Sequence, residues 1–202
     1  MVIDNPFYDL ESSAEFEPIT KGRLGTVLTH PTNGLFPLVR TTTVYQKPTQ
    51  TFKEIHYKII NLIKETCGIP DLKLNNSLFE IYNNDYRKMK YHSDQALDLE
   101  DNSYIVIFSC YDKPSHLRKL KIKNKITHEF DEIILDQNSV VIFSTETNRK
   151  FQHKIYLDTN TSTNRWLGMT LRCSKTFIDF SEDLPIIYPI KKQLTLATEE
   201  QH

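Results

Sequence analysis

Apolar residues recur at three- and four-residue intervals most clearly at Phe52, Ile55, Ile59, Leu62 and Ile63. That spacing lines one face of a helix. Thr51 and Glu54 stand where a capping box would open it, and Gly68 and Pro70 close it. Before it, Pro37 to Tyr45 is rich in β-branched residues and predicts a strand, whereas residues 1 to about 25 show no period and predict irregular structure. After it, the period changes. Short strand-like runs follow at Leu78 to Tyr82, Tyr104 to Ser109, Leu117 to Ile122, Glu132 to Leu135, Val140 to Ser144, Phe151 to Tyr156 and Trp166 to Cys173, with turn residues between them. A helix covering seven short strands predicts a mainly β (α+β) domain of jelly-roll type, two sheets enclosing a pocket at one end. The expected division is an N-terminal arm over residues 1–35, one domain over 36–182 and a polar tail over 183–202.

A chain of 202 residues holds one sizeable core. The formal charge of −1 provides no overall basic field, so any contact with nucleic acid has to be local. Three cysteines without paired spacing argue against a disulfide framework. No apolar run reaches the roughly 20 residues of a membrane helix, and the first residues lack the marks of a secretory signal. The expectation is a soluble, intracellular protein, cytoplasmic or nuclear, without a membrane partner.

The candidate chemistry lies in His92-Ser93-Asp94, with His153 far downstream. Positions i and i+2 of an extended segment face the same way, so His92 and Asp94 can share one metal ion. Two imidazoles and a carboxylate are the facial set that holds non-haem iron(II) and leaves positions open for oxygen and a co-substrate. None of Cys67, Cys110 or Cys173 is near either half, which disfavours a structural zinc site. By itself His-x-Asp is a weak signal. His56 is expected on the helix surface, and His30, His116, His128 and His202 receive no role.

The surroundings of the triad add specificity. Glu80-Ile81-Tyr82-Asn83-Asn84-Asp85-Tyr86 leading to His92-Ser93-Asp94, then Ser103 to Ser109, then Val140-Val141-Ile142-Phe143 with Phe151-Gln152-His153, then Asn164 to Arg172, follow one another in an order that resembles the AlkB-like branch of the iron(II)- and 2-oxoglutarate-dependent dioxygenases, over roughly residues 36 to 174. The resemblance implies a double-stranded β-helix core, with iron(II) on His92, Asp94 and His153, and with 2-oxoglutarate and O2 as co-substrates. It also implies an arginine for the 2-oxoglutarate carboxylate, because a guanidinium fork can grip a carboxylate through two bonds. Arg172 matches the second arginine of the family's pair, Arg165 is the candidate for the first, and Tyr82 matches a tyrosine that contacts the co-substrate. The family's arginines are six apart, whereas 172 − 165 = 7 turns Arg165 to the opposite strand face unless a bulge at Gly168 restores it. Glu80 stands where the family's asparagine usually lies.

The implied reaction is oxidative hydroxylation or demethylation, with alkylated nucleic acid as the leading substrate class. Ala96 replaces an acidic residue common in the base-repair members. Arg40, Tyr45 and Tyr86 are candidate substrate contacts, although Thr41-Thr42-Thr43 reads as strand before it reads as a substrate lip. Lys119 to Lys125 alternates with apolar residues and predicts a hairpin with a wet lysine face. Alternatives are a hydroxylase of a protein or small molecule, a non-catalytic binding module on the same fold, and a cupin-type enzyme using another metal.

Overall fold

The computed structural model describes residues 5–158, 163–182, 184–190 and 192–193. The largest sheet is built from β1 (Glu17–Thr20), β2 (Arg23–Thr29), β4 (Gln50–Thr51), β5 (Asn76–Tyr82), β6 (Tyr104–Tyr111), β9 (Ser139–Ser144) and β11 (Trp166–Arg172). Its order is β1-β2-β5-β11-β6-β9, with β4 added parallel to β2. Facing it is a smaller sheet, β10 (Phe151–Tyr156), β7 (Lys119–Asn124) and β8 (Phe130–Ile134), in that order. Among the described residues a third sheet joins β3 (Leu35–Pro37) to β12 (Phe177–Asp179), β13 (Ile186–Tyr188) and β14 (Lys192–Gln193). Two packed antiparallel sheets with a covering helix give the expected jelly roll.

The central strands read as near-continuous apolar runs because both of their faces are buried. On the outer face, Val106, Phe108 and Cys110 of β6 and Leu167, Met169 and Leu171 of β11 pack with Ile59, Ile60 and Ile63 of α2 (Glu54–Cys67). Each such side chain contributes about 1.5–3 kcal/mol on burial. The inner face of the same strands carries Tyr82, Ile107, Tyr111 and Trp166, which meet Leu120 and Ile155 of the smaller sheet. The functional residues hang from this inner face.

Several expectations change. The helix begins after Lys53, whose backbone N–H donates to His56 Nδ1 at 2.8 Å, so Thr51 and Glu54 are not its capping pair. His56 is buried, not on the surface: its Nε2 lies 2.8 Å from Ser13 Oγ, and burial lowers its pKa to about 4. Gly68 ends the helix at φ 64°, a left-handed position where glycine carries no Cβ penalty. The expected strand from Pro37 to Tyr45 is absent, since only Leu35–Pro37 pairs and the threonine run forms a loop. β-branched composition did not decide the outcome there, and Thr41 to Thr43 line the cavity instead.

The N-terminal segment is not irregular. α1 (Phe7–Ser13) buries Phe7 and Leu10 completely in the core beneath α2, and β2 pairs with β5 along its whole length. Its apolar positions are too few to show a period, yet Phe7 and Leu10 are fully buried. The polar tail likewise includes β13 and β14, while 183, 191 and 194–202 lie outside the described residues.

Candidate active site

His92 and His153 are locked to each other by backbone. The His92 N–H donates to the His153 carbonyl at 3.0 Å and the His153 N–H returns a bond to the His92 carbonyl at 2.7 Å. This isolated antiparallel bridge makes the two residues face each other, and their rings lie 4.5 Å apart between centroids. Asp94 is held from α3 (Thr145–Lys150), whose N-terminus Ser144 caps. Asn148 accepts from the Asp94 N–H at 2.9 Å and donates to the Asp94 carbonyl at 2.8 Å. Ser93 Oγ donates to the Phe151 carbonyl at 2.7 Å, so the segment is pinned on both sides of the carboxylate.

The result is a cluster of three ligand atoms, all within 4.8 Å of one another. Asp94 Oδ1 lies 3.7 Å from His92 Nε2 and 3.6 Å from His153 Nε2. His92 Nδ1 is 3.1 Å from the Lys90 carbonyl; with the proton on Nδ1 it donates there, leaving the Nε2 lone pair for a metal. Arg172 binds the other carboxylate oxygen, Oδ2, from Nε at 2.9 Å and from Nη2 at 2.6 Å. The two oxygens of Asp94 thus have separate tasks.

Charge follows from burial. Desolvation pushes Asp94 upward, but Arg172, with His153 and His92, outweighs it and holds the carboxyl below its usual value. Burial drops His153 to about 4, partly countered by Asp94, so its ring is neutral and able to ligate at ordinary pH. Two imidazoles and one carboxylate are a donor set that would suit a ferrous ion, and they border a cavity of about 330 Å³. The cavity is lined by all three ligands, Arg172, Tyr82, Glu80, Arg23, Tyr86 and the loop from Arg40 to Thr43.

Of the residues predicted for the co-substrate, Arg172 and Tyr82 reach this cavity and Arg165 does not. β11 pairs with β5 and β6 in unbroken register from Trp166 to Leu171, so Gly168 forms no bulge. Arg165 instead binds Glu11 and Asp112 and stacks on Phe7, its guanidinium carbon 4.8 Å from the ring centre. It fastens α1 to the start of β11. Counting six back from Arg172 (172 − 6 = 166) gives Trp166, whose indole lies over Gly168 so closely that a Cβ there would stand 1.9 Å from it.

Among the substrate candidates, Arg40 lines the cavity while bound to Asp98 at 2.5 Å, and Tyr86 packs on Tyr82 with 4.6 Å between centroids. Tyr45 is not at the mouth; it lies over Gly25, its ring carbon 3.2 Å from where a Cβ would stand. The threonine run that read as strand is cavity wall. Sequence reasoning missed Arg23 and Asn148. Neither belongs to a motif, and Arg23 fell in the segment expected to be irregular.

Comparison with known proteins agrees with this geometry. The sequence model of the 2OG-Fe(II) oxygenase superfamily matches residues 32–175. The fold is similar to that of OsALKBH1, at TM-score 0.54 and 13% identity over 82% of this chain and 89% of that one. It is also similar to an oxidoreductase of the 2OG-Fe(II) oxygenase family from Burkholderia pseudomallei, at TM-score 0.52 and 12% identity over 84% of this chain and 80% of that one. No curated protein matches the sequence significantly. Among the described residues no helix is long and apolar enough to cross a membrane. With the family's fold, its His-Asp-His ligand set and a sequence match over most of its length, the chain belongs to the 2OG-Fe(II) oxygenase superfamily and is an Fe(II)- and 2-oxoglutarate-dependent dioxygenase that uses O2.

Proposed function

We propose that the protein hydroxylates or demethylates an alkylated nucleic acid, with His92, Asp94 and His153 holding iron(II) and Arg172 and Tyr82 serving the co-substrate. The observation that carries the catalytic half is the convergence of the three ligand atoms on one side of a cavity, with Arg172 behind the carboxylate. When bound, the metal would let O2 act as the oxidant, one oxygen atom going to succinate as 2-oxoglutarate loses CO2 and the other to the substrate. The chain supplies position. Asn148 and the His92–His153 bridge hold the ligands, Arg172 keeps Asp94 ionised, and the jelly-roll walls limit water.

The nucleic-acid half rests on the outer face of the smaller sheet. Lys154 Nζ lies 4.6 Å from the Tyr91 ring centre and Lys123 Nζ 5.8 Å, while Lys154 also approaches Tyr156 at 5.5 Å. Lys123 and Lys154 form no ion pair among the described residues, unlike Lys119 and Lys121, which share Glu132. Cations interleaved with aromatic rings on this face suit a phosphate backbone and stacked bases. Ala96, in place of the acidic residue of base-repair members, favours a hydroxylase of a protein or small molecule as the second reading.

The test begins anaerobically. Iron(II) and 2-oxoglutarate should give the weak visible absorption of a metal-bound oxo acid, which Asp94→Ala should abolish together with succinate formation. Methylated single-stranded oligonucleotides should then be consumed, with binding that weakens as salt rises and in the Lys123→Glu, Lys154→Glu double variant. Turnover of methylated or unmodified peptides but of no oligonucleotide would replace the first reading by the second.

A further inference from the structure

The proposal concerns the far end of the co-substrate and rests on the dioxygenase assignment, not on the nucleic-acid reading. 2-Oxoglutarate brings a second carboxylate into a partly buried site, and such an anion needs a cation with free donors. Each arginine around the site can be examined in turn. Arg172 is engaged with Asp94 at the metal end, Arg165 with Glu11 and Asp112 outside the cavity, and Arg40 with Asp98 at the rim. Arg118 is buried behind Tyr82, donating to the carbonyls of Tyr86 and Asn83 at 2.8 and 2.7 Å, and does not line the cavity. Arg23 remains.

Sheet register places Arg23 well. Tyr82 is flanked by Trp166 on β11 and by Arg23 on β2, its direct cross-strand partners. The cation missing from position 166 on one side of Tyr82 is thus present on the other side. Arg23 lines the same cavity as the three metal ligands, and its side chain is 15% exposed. It donates from Nε to Glu80 Oε1 at 2.8 Å, and from Nη2 to the same oxygen and to Thr43 Oγ1, the latter at 3.1 Å. The guanidinium also faces the Tyr45 and Tyr86 hydroxyls, but among the described residues Glu80 is the only carboxylate paired with it, and a planar fork with five donors can serve a second carboxylate.

A second observation comes from the neighbouring register row, where Gly25, Glu80, Gly168 and Ser109 lie side by side. Tyr45 lies over Gly25 and the Trp166 indole over Gly168. The Trp166 Nε1 and the Ser109 hydroxyl are buried without a hydrogen-bond partner, and the Tyr45 hydroxyl faces Arg23. Buried donors left unpaired are rare. The two donors leave this part of the sheet, on the far side of Tyr82 from Arg23, short of an acceptor.

We propose that Arg23, from the N-terminal strand β2, binds the far carboxylate of 2-oxoglutarate, in place of the strand-β11 arginine whose position Trp166 occupies. Glu80 and Thr43 orient the guanidinium, and Tyr82, whose hydroxyl donates to Glu80 Oε2 at 2.5 Å, completes the wall. Glu80 also makes this end of the pocket less welcoming to anions than a neutral amide would.

The experiment compares two 2-oxo acids of equal length: 2-oxoglutarate, and 2-oxopentanoate, which has a methyl group in place of the far carboxylate. Binding to the manganese(II)-loaded protein is measured anaerobically by calorimetry and by the emission of Trp166, the chain's single tryptophan. The wild type should prefer 2-oxoglutarate by about 10- to 100-fold, the range of charge-assisted hydrogen bonds. Arg23→Met should lose that preference while still binding 2-oxopentanoate, and Glu80→Gln should bind 2-oxoglutarate several-fold more tightly. An unchanged preference in Arg23→Met overturns the proposal, as does an equal loss of both acids in a folded, metal-binding variant. If Arg23→Met does not fold, Arg23→Lys should show an intermediate preference, and an unchanged one overturns the proposal. Failure of the metal-loaded wild type to bind either acid would overturn the co-substrate assignment itself, and this inference with it.

Discussion

Asn148 touches no ligand atom of the triad, yet it holds both backbone groups of Asp94. Residues that orient metal ligands from behind commonly set affinity by 10- to 100-fold. Asn148→Ala should therefore weaken ferrous ion binding by about 10-fold in an anaerobic titration and also lower the melting temperature of the metal-free protein, since it leaves two buried backbone groups unpaired. The triad was legible because period-two alternation pairs His92 with Asp94 and the flanking stretches join His153 to them, and Arg172 was legible from its flanking motif. Asn148 and Arg23 were not: one sits on a six-residue helix and the other on a strand whose role appears only when β5 lies beside it. Arg165 shows the converse. Its identity fitted the motif, but strand alternation sent it to Glu11 and Asp112. Arg165→Ala should lower stability and leave 2-oxoglutarate affinity unchanged, as calorimetry on the folded variant would record.

At the level of elements, the strands after Leu78 could be read because apolar runs bounded by turn residues have no competing explanation. The threonine loop could not, since composition says what suits a strand and nothing about whether an edge is free to receive it. Gly168 has a packing reason: its missing side chain is the space the Trp166 indole fills. Gly168→Ala should cost about 1–3 kcal/mol from overpacking, visible as a lower melting temperature with altered tryptophan emission. At the start of α2, His56 titrates at about 4 when folded against 6.5 when free. Above pH 6.5 neither state takes the proton. As pH falls below 6.5 the unfolded chain binds it first, so the contribution of His56 is lost progressively until about pH 4, by at most about 3 kcal/mol. His56→Gln, which keeps an acceptor at the same helix position, should flatten this part of the stability–pH profile relative to wild type.

For the whole molecule, the segment that looked like an arm is part of the core. Phe7 and Leu10 are fully buried, and Glu11 secures Arg165. Deleting residues 1–14 should lower unfolding free energy by about 3 kcal/mol or more, measured by denaturant titration, and a deletion that leaves the midpoint unchanged would contradict this packing. The strip that carries His92 meets β10 through the isolated bridges Lys88–Tyr156 and His92–His153, the Met89 N–H bond to the Ile155 carbonyl and the Ser93 hydroxyl bond to the Phe151 carbonyl. A divalent ion seated across His92 and His153 would act as a rivet on that seam, stabilising the closed form by mass action. In deuterium labelling, the amides of His92 and His153 should exchange faster than those at the centre of β11 when the protein is stripped of metal, and should slow by orders of magnitude once it is loaded. Ligand binding and local rigidity would then be one event, and starvation for iron would leave the enzyme ajar at its own seam.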